Sequence, residues 1–145
     1  MKKIEFVYRE ILFQTLEKGN SNLTQAYLAQ TLSISLSTVN LALKPLVRMH
    51  AIQVKNRGFV IIDVKKILYY WASIRNLEKD IIFTTRIGEP VREMEKEMPD
   101  SIVFTAYSAY KLRFKDVPAD YSEVYVYGDK GVEKRWKEHK GNPNF

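Results

Sequence analysis

Between residues 36 and 48 the chain sets Ser37, Thr38, Asn40, Leu41, Lys44 and Arg48 at intervals that bring them, with Pro45, to one half of an α-helix. Their chemistry suits the reading of a polyanion. Serine, threonine and asparagine can exchange hydrogen bonds with base edges or phosphates, lysine and arginine suit phosphates or guanine, and an exposed leucine can rest on a thymine methyl. A few residues on, Lys55, Asn56 and Arg57 form a second polar, cationic group. The surrounding charge is one-sided: from Lys18 to Ile62 there is no Asp or Glu, against Lys18, Lys44, Arg48, Lys55 and Arg57. From Asp63 onward fifteen Lys/Arg face fourteen Asp/Glu, so the net +6 of the chain is concentrated in one segment. Such clustering is favoured where phosphate neutralisation releases counterions. Charge by itself fits an ordinary solvated face equally well.

The elements that would hold these side chains follow from periodicity and caps. Ile4, Val7, Ile11, Leu12 and Leu16 predict a helix over residues 3–18, stopped by Gly19 and Asn20. Thr24 suits the N-cap of a second helix, Gln25 to Leu32, with Leu23 stapled onto Leu28 and small Ala29 admitting a close neighbour. After a corner at Ser33-Ile34, Ser35 suits the cap of a third helix and Ile34 its staple onto Val39. The inner half of that helix is predicted to be Leu36, Val39, Ala42, Leu43, Leu46 and Val47. Pro45 within it removes a backbone hydrogen bond, which predicts a bend with the proline on the outer side. Ile52–Lys55 and Phe59–Ile62 then read as two β runs joined by Asn56-Arg57-Gly58, whose glycine supplies a positive φ.

This succession, and most specifically "LAQTLSISLSTVNLALKPLVRMHAI", resembles the winged helix-turn-helix domain of prokaryotic transcriptional regulators over roughly residues 3–62. The shared features are an alanine in the first helix of the motif, a Ser-x-Ser-Thr-Val entry into the next helix, and a leucine pair ahead of the hairpin. The resemblance implies a regulator that binds double-stranded DNA. It places Ser37, Thr38, Asn40, Leu41 and Lys44 in the major groove, with Arg48 beside them, and Lys55, Asn56 and Arg57 on the wing. Two positions depart from the family pattern: Leu41 stands where such regulators often carry arginine, and His50 where a glycine commonly ends the helix. Winged helices also serve as protein-interaction or dimerisation modules, which is the competing expectation.

Asp63 can cap a fourth helix, 64–77, in which Ile67, Leu68, Trp71, Ile74 and Leu77, flanked by Tyr69 and Tyr70, are apolar around more than half the girth. A helix of that kind is expected to be buried on two sides. With Phe6, Tyr8 and Phe13 exceeding the needs of one small core, it predicts a homodimer. No Gly-, Pro- or Ser-rich linker separates the halves, so the junction is expected to be stiff. The predicted organisation is a DNA-binding domain over 1–62, a connecting helix over 63–80, and a small domain over 81–145.

The second half alternates. It predicts strand Ile81–Arg86, helix Pro90–Glu97, strand Ile102–Ala106, helix Ser108–Phe114, strand Glu123–Tyr127 and helix Lys130–Lys140, a small α/β (βαβαβα) layer within an α+β chain. "FTAYSAYKLRF" followed by "DVPADYSEVYVY" resembles the nucleotidyltransferase-like fold, whose active members carry Gly-Ser before a helix and Asp-x-Asp on the next strand to hold Mg²⁺. Here Ala106-Tyr107-Ser108 replaces the glycine entry, and Glu123-Val124-Tyr125 leaves one carboxylate where a two-metal clamp needs more. The expectation is a degenerate scaffold without catalytic activity, metal or cofactor. A winged helix followed by such a domain is similar to the abortive-infection antitoxins of type IV toxin systems and to related archaeal regulators, so a nucleotide-sensing module is a second alternative. Tyr107, Tyr110, Tyr121, Tyr125 and Tyr127 could stack bases, or simply suit strands and half-buried surface.

Several classes are disfavoured from composition. There is no cysteine for a disulfide or thiolate site, which fits a reducing cytoplasm, and His50 and His139 are far apart. Glu5, Arg9 and Glu10 interrupt the opening residues before a signal-peptide core could form, and no stretch approaches the ~18 apolar residues of a membrane span. A soluble, cytoplasmic protein is therefore expected. Asn142-Pro143-Asn144-Phe145 reads either as the start of a further strand or as an end that packs on a partner.

Overall fold

In the computed structural model, which describes residues 1–117 and 119–138, the first helix α1 spans Lys3–Leu16. Its exit is made where the sequence predicts a stop: Gly19 takes φ +65°, and the Asn20 amide returns to the Gln14 carbonyl at 2.8 Å. The short strand β1, Asn22–Leu23, leads into α2, Gln25–Leu32, and a tight corner into α3, Leu36–Arg48. Both predicted caps form. Thr24 Oγ1 accepts from the Tyr27 amide at 3.0 Å, and Ser35 Oγ accepts from the Thr38 amide at 3.2 Å. Between them Ser33 adopts φ +52°, and the Ile34 amide bonds the Ala29 carbonyl at 3.0 Å, so the chain reverses without glycine.

Helix α3 presents Val39, Ala42, Leu43 and Leu46 to the core. Leu36 and Val47, predicted for the same inner half, are exposed instead, because they lie at the margins of the buried stripe where no neighbouring element covers them. The helix ends in a Schellman arrangement: His50 has φ +56°, its amide bonds the Val47 carbonyl at 3.0 Å, and the Ala51 amide bonds the Leu46 carbonyl at 2.9 Å. His50 thus takes the left-handed conformation that a glycine would adopt without a Cβ penalty.

Strands β2, Ile52–Lys55, and β3, Gly58–Ile61, form the predicted hairpin. Lys55 pairs with Gly58 across a two-residue turn, one residue tighter than expected, and Gly58 has φ +104°. A Cβ at Gly58 would also stand 2.3 Å from the Leu23 carbonyl oxygen. That close approach exists because β3 is the central strand of a three-stranded antiparallel sheet ordered β1-β3-β2, with Leu23 opposite Phe59. The residue pair β1 carries no periodicity, so nothing in the sequence marks it as a strand.

Helix α4, Val64–Ile74, is capped by Asp63 Oδ1, which accepts from the Lys66 amide at 3.0 Å. It stops three residues before the predicted Leu77, and a 3₁₀ turn at Glu78–Asp80 follows. The chain divides into two units at Ile81/Ile82, so the segment read as a connecting helix, 63–80, lies inside the first unit with α4 against α1. Ile67 is fully buried there, and Tyr70, Trp71 and Ile74 pack on the same core. Leu68, Tyr69 and Leu77 stay exposed. Tyr8 is not surplus to this core, as the sequence reading had it. It is buried, its hydroxyl donates to the Ala42 carbonyl at 3.0 Å, and its ring meets Tyr70 edge-on at 5.6 Å. Desolvation, reinforced by Tyr70, pushes the Tyr8 phenol well above its ordinary range.

Two carboxylates are buried in α1 and both are matched. Glu5 accepts from the Lys2 amide at 3.0 Å and from Trp71 Nε1 at 3.3 Å. Glu10 accepts from Gln14 Nε2 and from the Tyr27 hydroxyl, each at 3.0 Å.

The second unit comprises α5, Val91–Glu97; β4, Val103–Phe104; α6, Ala106–Phe114; β5, Val126–Tyr127; and α7, Lys130–Glu138. Its strands pair antiparallel, Val103 with Tyr127 and Phe104 with Val126. The predicted first strand, 81–86, is not formed. That stretch makes no ladder among the described residues, and Phe83 and Ile87 instead pack on a small cluster of Met94, Val132 and Trp136. Apolar spacing there marks attachment to a core rather than strand pairing. The chain is therefore α+β, with seven α-helices and two small antiparallel sheets among its described residues, and the second half is αβαβα rather than βαβαβα. His139, Lys140 and the segment 142–145, on which parts of the sequence reading fall, lie outside the described residues.

Candidate nucleic-acid interface

The outer half of α3 is solvent-facing. Ser37, Asn40, Leu41, Lys44 and Arg48 are exposed, and Thr38 and Pro45 are half-buried. Leu41 is 59 % exposed, a large apolar side chain held out among polar ones. At the helix entry Ser35 Oγ lies 2.8 Å from Ser37 Oγ and 2.9 Å from Thr38 Oγ1, so the cap also orients the two hydroxyls that follow it. Lys55, Asn56 and Arg57 are exposed at the end of the β2–β3 hairpin.

Asn40, Lys44 and Arg48 come together along one groove of about 390 Å³ between α3 and the hairpin. Gln25, the first residue of α2, joins them on the rim. It was not among the sequence candidates, and no local pattern marks it, because its position depends on the angle at the Ser33 corner. The hairpin residues Lys55, Asn56 and Arg57 do not line this groove and form a separate group at the tip.

These polar groups have no partners of their own. Among the described residues, no hydrogen bond or ion pair engages the side chains of Asn40, Lys44, Arg48, Lys55, Asn56 or Arg57. Since no carboxylate occurs between Lys18 and Ile62, the potential of that face is set by cations and by amide and hydroxyl dipoles.

The polar centre of the second unit is built differently. Glu95 Oε2 accepts from Lys111 Nζ at 2.6 Å and Glu95 Oε1 from the Tyr121 hydroxyl at 2.6 Å. Burial raises the Glu95 carboxyl, but hydrogen bonds from Lys111 and Tyr121 outweigh it and hold the group below its ordinary range. Lys111 is raised by its bond to Glu95, against desolvation. Tyr121 stacks on Tyr107 at 5.4 Å. Ser108 and Lys111 stand one turn apart on α6, the spacing of a hydroxyl nucleophile and an amine base, yet Ser108 is 1 % exposed and Lys111 is held protonated. The arrangement clamps α5 to α6. Glu123, the lone carboxylate of the nucleotidyltransferase-like motif, is exposed and accepts from the Tyr125 hydroxyl at 2.6 Å, which raises that phenol. Among the described residues no three His, Asp or Glu side chains gather as metal ligands, and no helix is long and apolar enough to cross a membrane.

No protein-family model, curated protein or solved structure compared with the chain matches it.

Proposed function

We propose that the first unit is a winged helix-turn-helix that binds double-stranded DNA sequence-specifically as a transcriptional regulator in the cytoplasm. Helix α3 would enter the major groove and the hairpin tip would lie on the backbone. The observation that carries this is the coincidence of an acid-free segment with unpaired donors on the exposed faces of α3 and the hairpin. Asn40 offers the bidentate amide that suits adenine, Lys44 and Arg48 suit phosphate or guanine, and Leu41 suits a thymine methyl. The protein is proposed to act as a homodimer through the exposed Leu68 and Tyr69 of α4, with recognition helices ~34 Å apart on a palindromic site. The second unit is proposed as a non-catalytic scaffold.

Selection from random duplexes, followed by anisotropy titrations at several salt concentrations, tests the reading. Asn40→Ala should cost ~1–3 kcal/mol at the selected sequence and leave non-specific binding nearly intact. Arg57→Ala should weaken every duplex alike and flatten the salt slope by about one unit. If both variants bind as the parent does, the face serves another partner. Labelled nucleotides with Mg²⁺ or Mn²⁺ test the scaffold: incorporation that disappears in Glu123→Ala would make the second unit an enzyme.

A further inference from the structure

In β2 the inward alternation fails at one position. Ile52 and Val54 point to the same sheet face, opposite Ile61 and Phe59 of β3. Ile52, Ile61 and Phe59 are buried, but Val54 is 60 % exposed. On α3 the same thing happens at Val47, which belongs to the inner stripe and is 39 % exposed. Both valines line the groove between α3 and the hairpin, above a floor that includes Leu43 and Phe59. The fold therefore leaves two apolar side chains of core-facing periodicity uncovered at one place, beneath a rim carrying Lys44 and Arg48, which have no ion-pair partner among the described residues.

We propose that this groove binds a small amphipathic anion, an aromatic or branched aliphatic carboxylate, whose apolar body covers Val47 and Val54 while its charged end meets Lys44 and Arg48. The volume, about 390 Å³, lies within the ~300–1,000 Å³ of small-molecule sites. A phosphodiester backbone alone would match the rim and leave the apolar floor unused. A neutral apolar molecule would match the floor and leave the cations desolvated without a partner. Because the ligand engages Lys44 and Arg48, it excludes DNA from α3, and this second consequence rests on the function proposed above.

Titration of the ¹⁵N-labelled full chain with 2-naphthoate is the test. Saturable shifts should concentrate at the amides of Val47, Val54, Gly58 and Gln25. Val54→Asp and Lys44→Glu should each weaken binding at least tenfold, with amides remote from the groove unmoved as the internal check on folding. Neutral 2-naphthylmethanol should bind at least tenfold more weakly than the carboxylate. Shifts centred elsewhere, or affinity unchanged in both variants, would overturn the site. In a second arm, a selected duplex should displace 2-naphthoate. If the carboxylate occupies the groove and a selected duplex binds without displacing it, the exclusion of DNA falls; if the carboxylate occupies the groove and no duplex is selected, the ligand site stands and the DNA-binding reading falls.

Discussion

The two units solve the problem of polar groups in opposite ways. In Met1–Ile81 one apolar cluster runs through all four helices and the sheet, from Val7 and Ile11 on α1 to Leu46 on α3, Phe59 on β3 and Ile67 on α4. From Ile82 onward the buried apolar residues described are Met94, Val132 and Trp136, and Glu95 of α5 is bonded to Lys111 of α6 and to Tyr121. Particular cations differ too: Lys111 and Lys96 of the second unit pair with Glu95 and Glu93 and Arg75 of the first with Asp80, whereas Lys44, Arg48, Lys55 and Arg57 have no ion pair among the described residues. A deep apolar core holds its fold without those charges, so they remain available to a partner. The second unit, with a smaller buried cluster, has less apolar area to set against its chain entropy.

The contrast can be broken most decisively at Leu46, which is fully buried at the centre of the first core. Leu46→Ala should cost ~2–5 kcal/mol, read from urea unfolding followed through the amide resonances of each unit. The first-unit midpoint should fall while that of the second moves little. A common shift of both would mean that the two cores are one cooperative body. At Gly58, where φ is +104° and a Cβ would meet the Leu23 oxygen, alanine should cost ~3 kcal/mol and shift β1 and β3 resonances together.

Smaller effects sharpen the comparison. His50→Gly relieves a left-handed residue at the end of α3 and should stabilise the first unit by ~0.5–1 kcal/mol, measurable as a raised midpoint. The weakest effect is expected at the Glu95–Lys111 pair, below ~1 kcal/mol because Lys111 is partly solvated. Glu95 is held below its ordinary value, so its contribution is present above the unfolded pKa of ~4.3 and is lost as pH falls through the folded value. Lys111 is raised, so its contribution is present below ~10.4 and is lost as pH rises through the folded value. Thermal melts of the second unit should be flat between these limits, and Glu95→Gln should remove the acid-side decline.

Local rules were legible where one or two neighbouring residues decide the outcome. Thr24, Ser35 and Asp63 cap helices because a side-chain oxygen three positions before a free amide can reach it whatever lies beyond. The turn glycine at 58 was readable for the same reason, as was the acid-free surface of α3, since a helical period assigns faces without a tertiary partner. The strand expected at 81–86 failed because a ladder needs a partner strand and none stands beside it among the described residues; Phe83 joins a core instead, while Ile81 and Ile82 stay exposed. β1 was invisible because two residues carry no period.

The sequence by itself determined most of the apolar side of α1 and α3, the caps at which α2, α3 and α4 begin, and that one segment carries cations without acids. It could not decide how far the covering extends. Val47 and Val54 have the residue type and the periodicity of core positions, and only the distance between α3 and the hairpin leaves them open, with Asn40, Lys44, Arg48 and Gln25 gathered around them. Periodicity describes a direction from one element's axis, whereas burial depends on what stands in that direction, and that is set by the corner at Ser33, the exit at His50 and the pairing of β3 with β1.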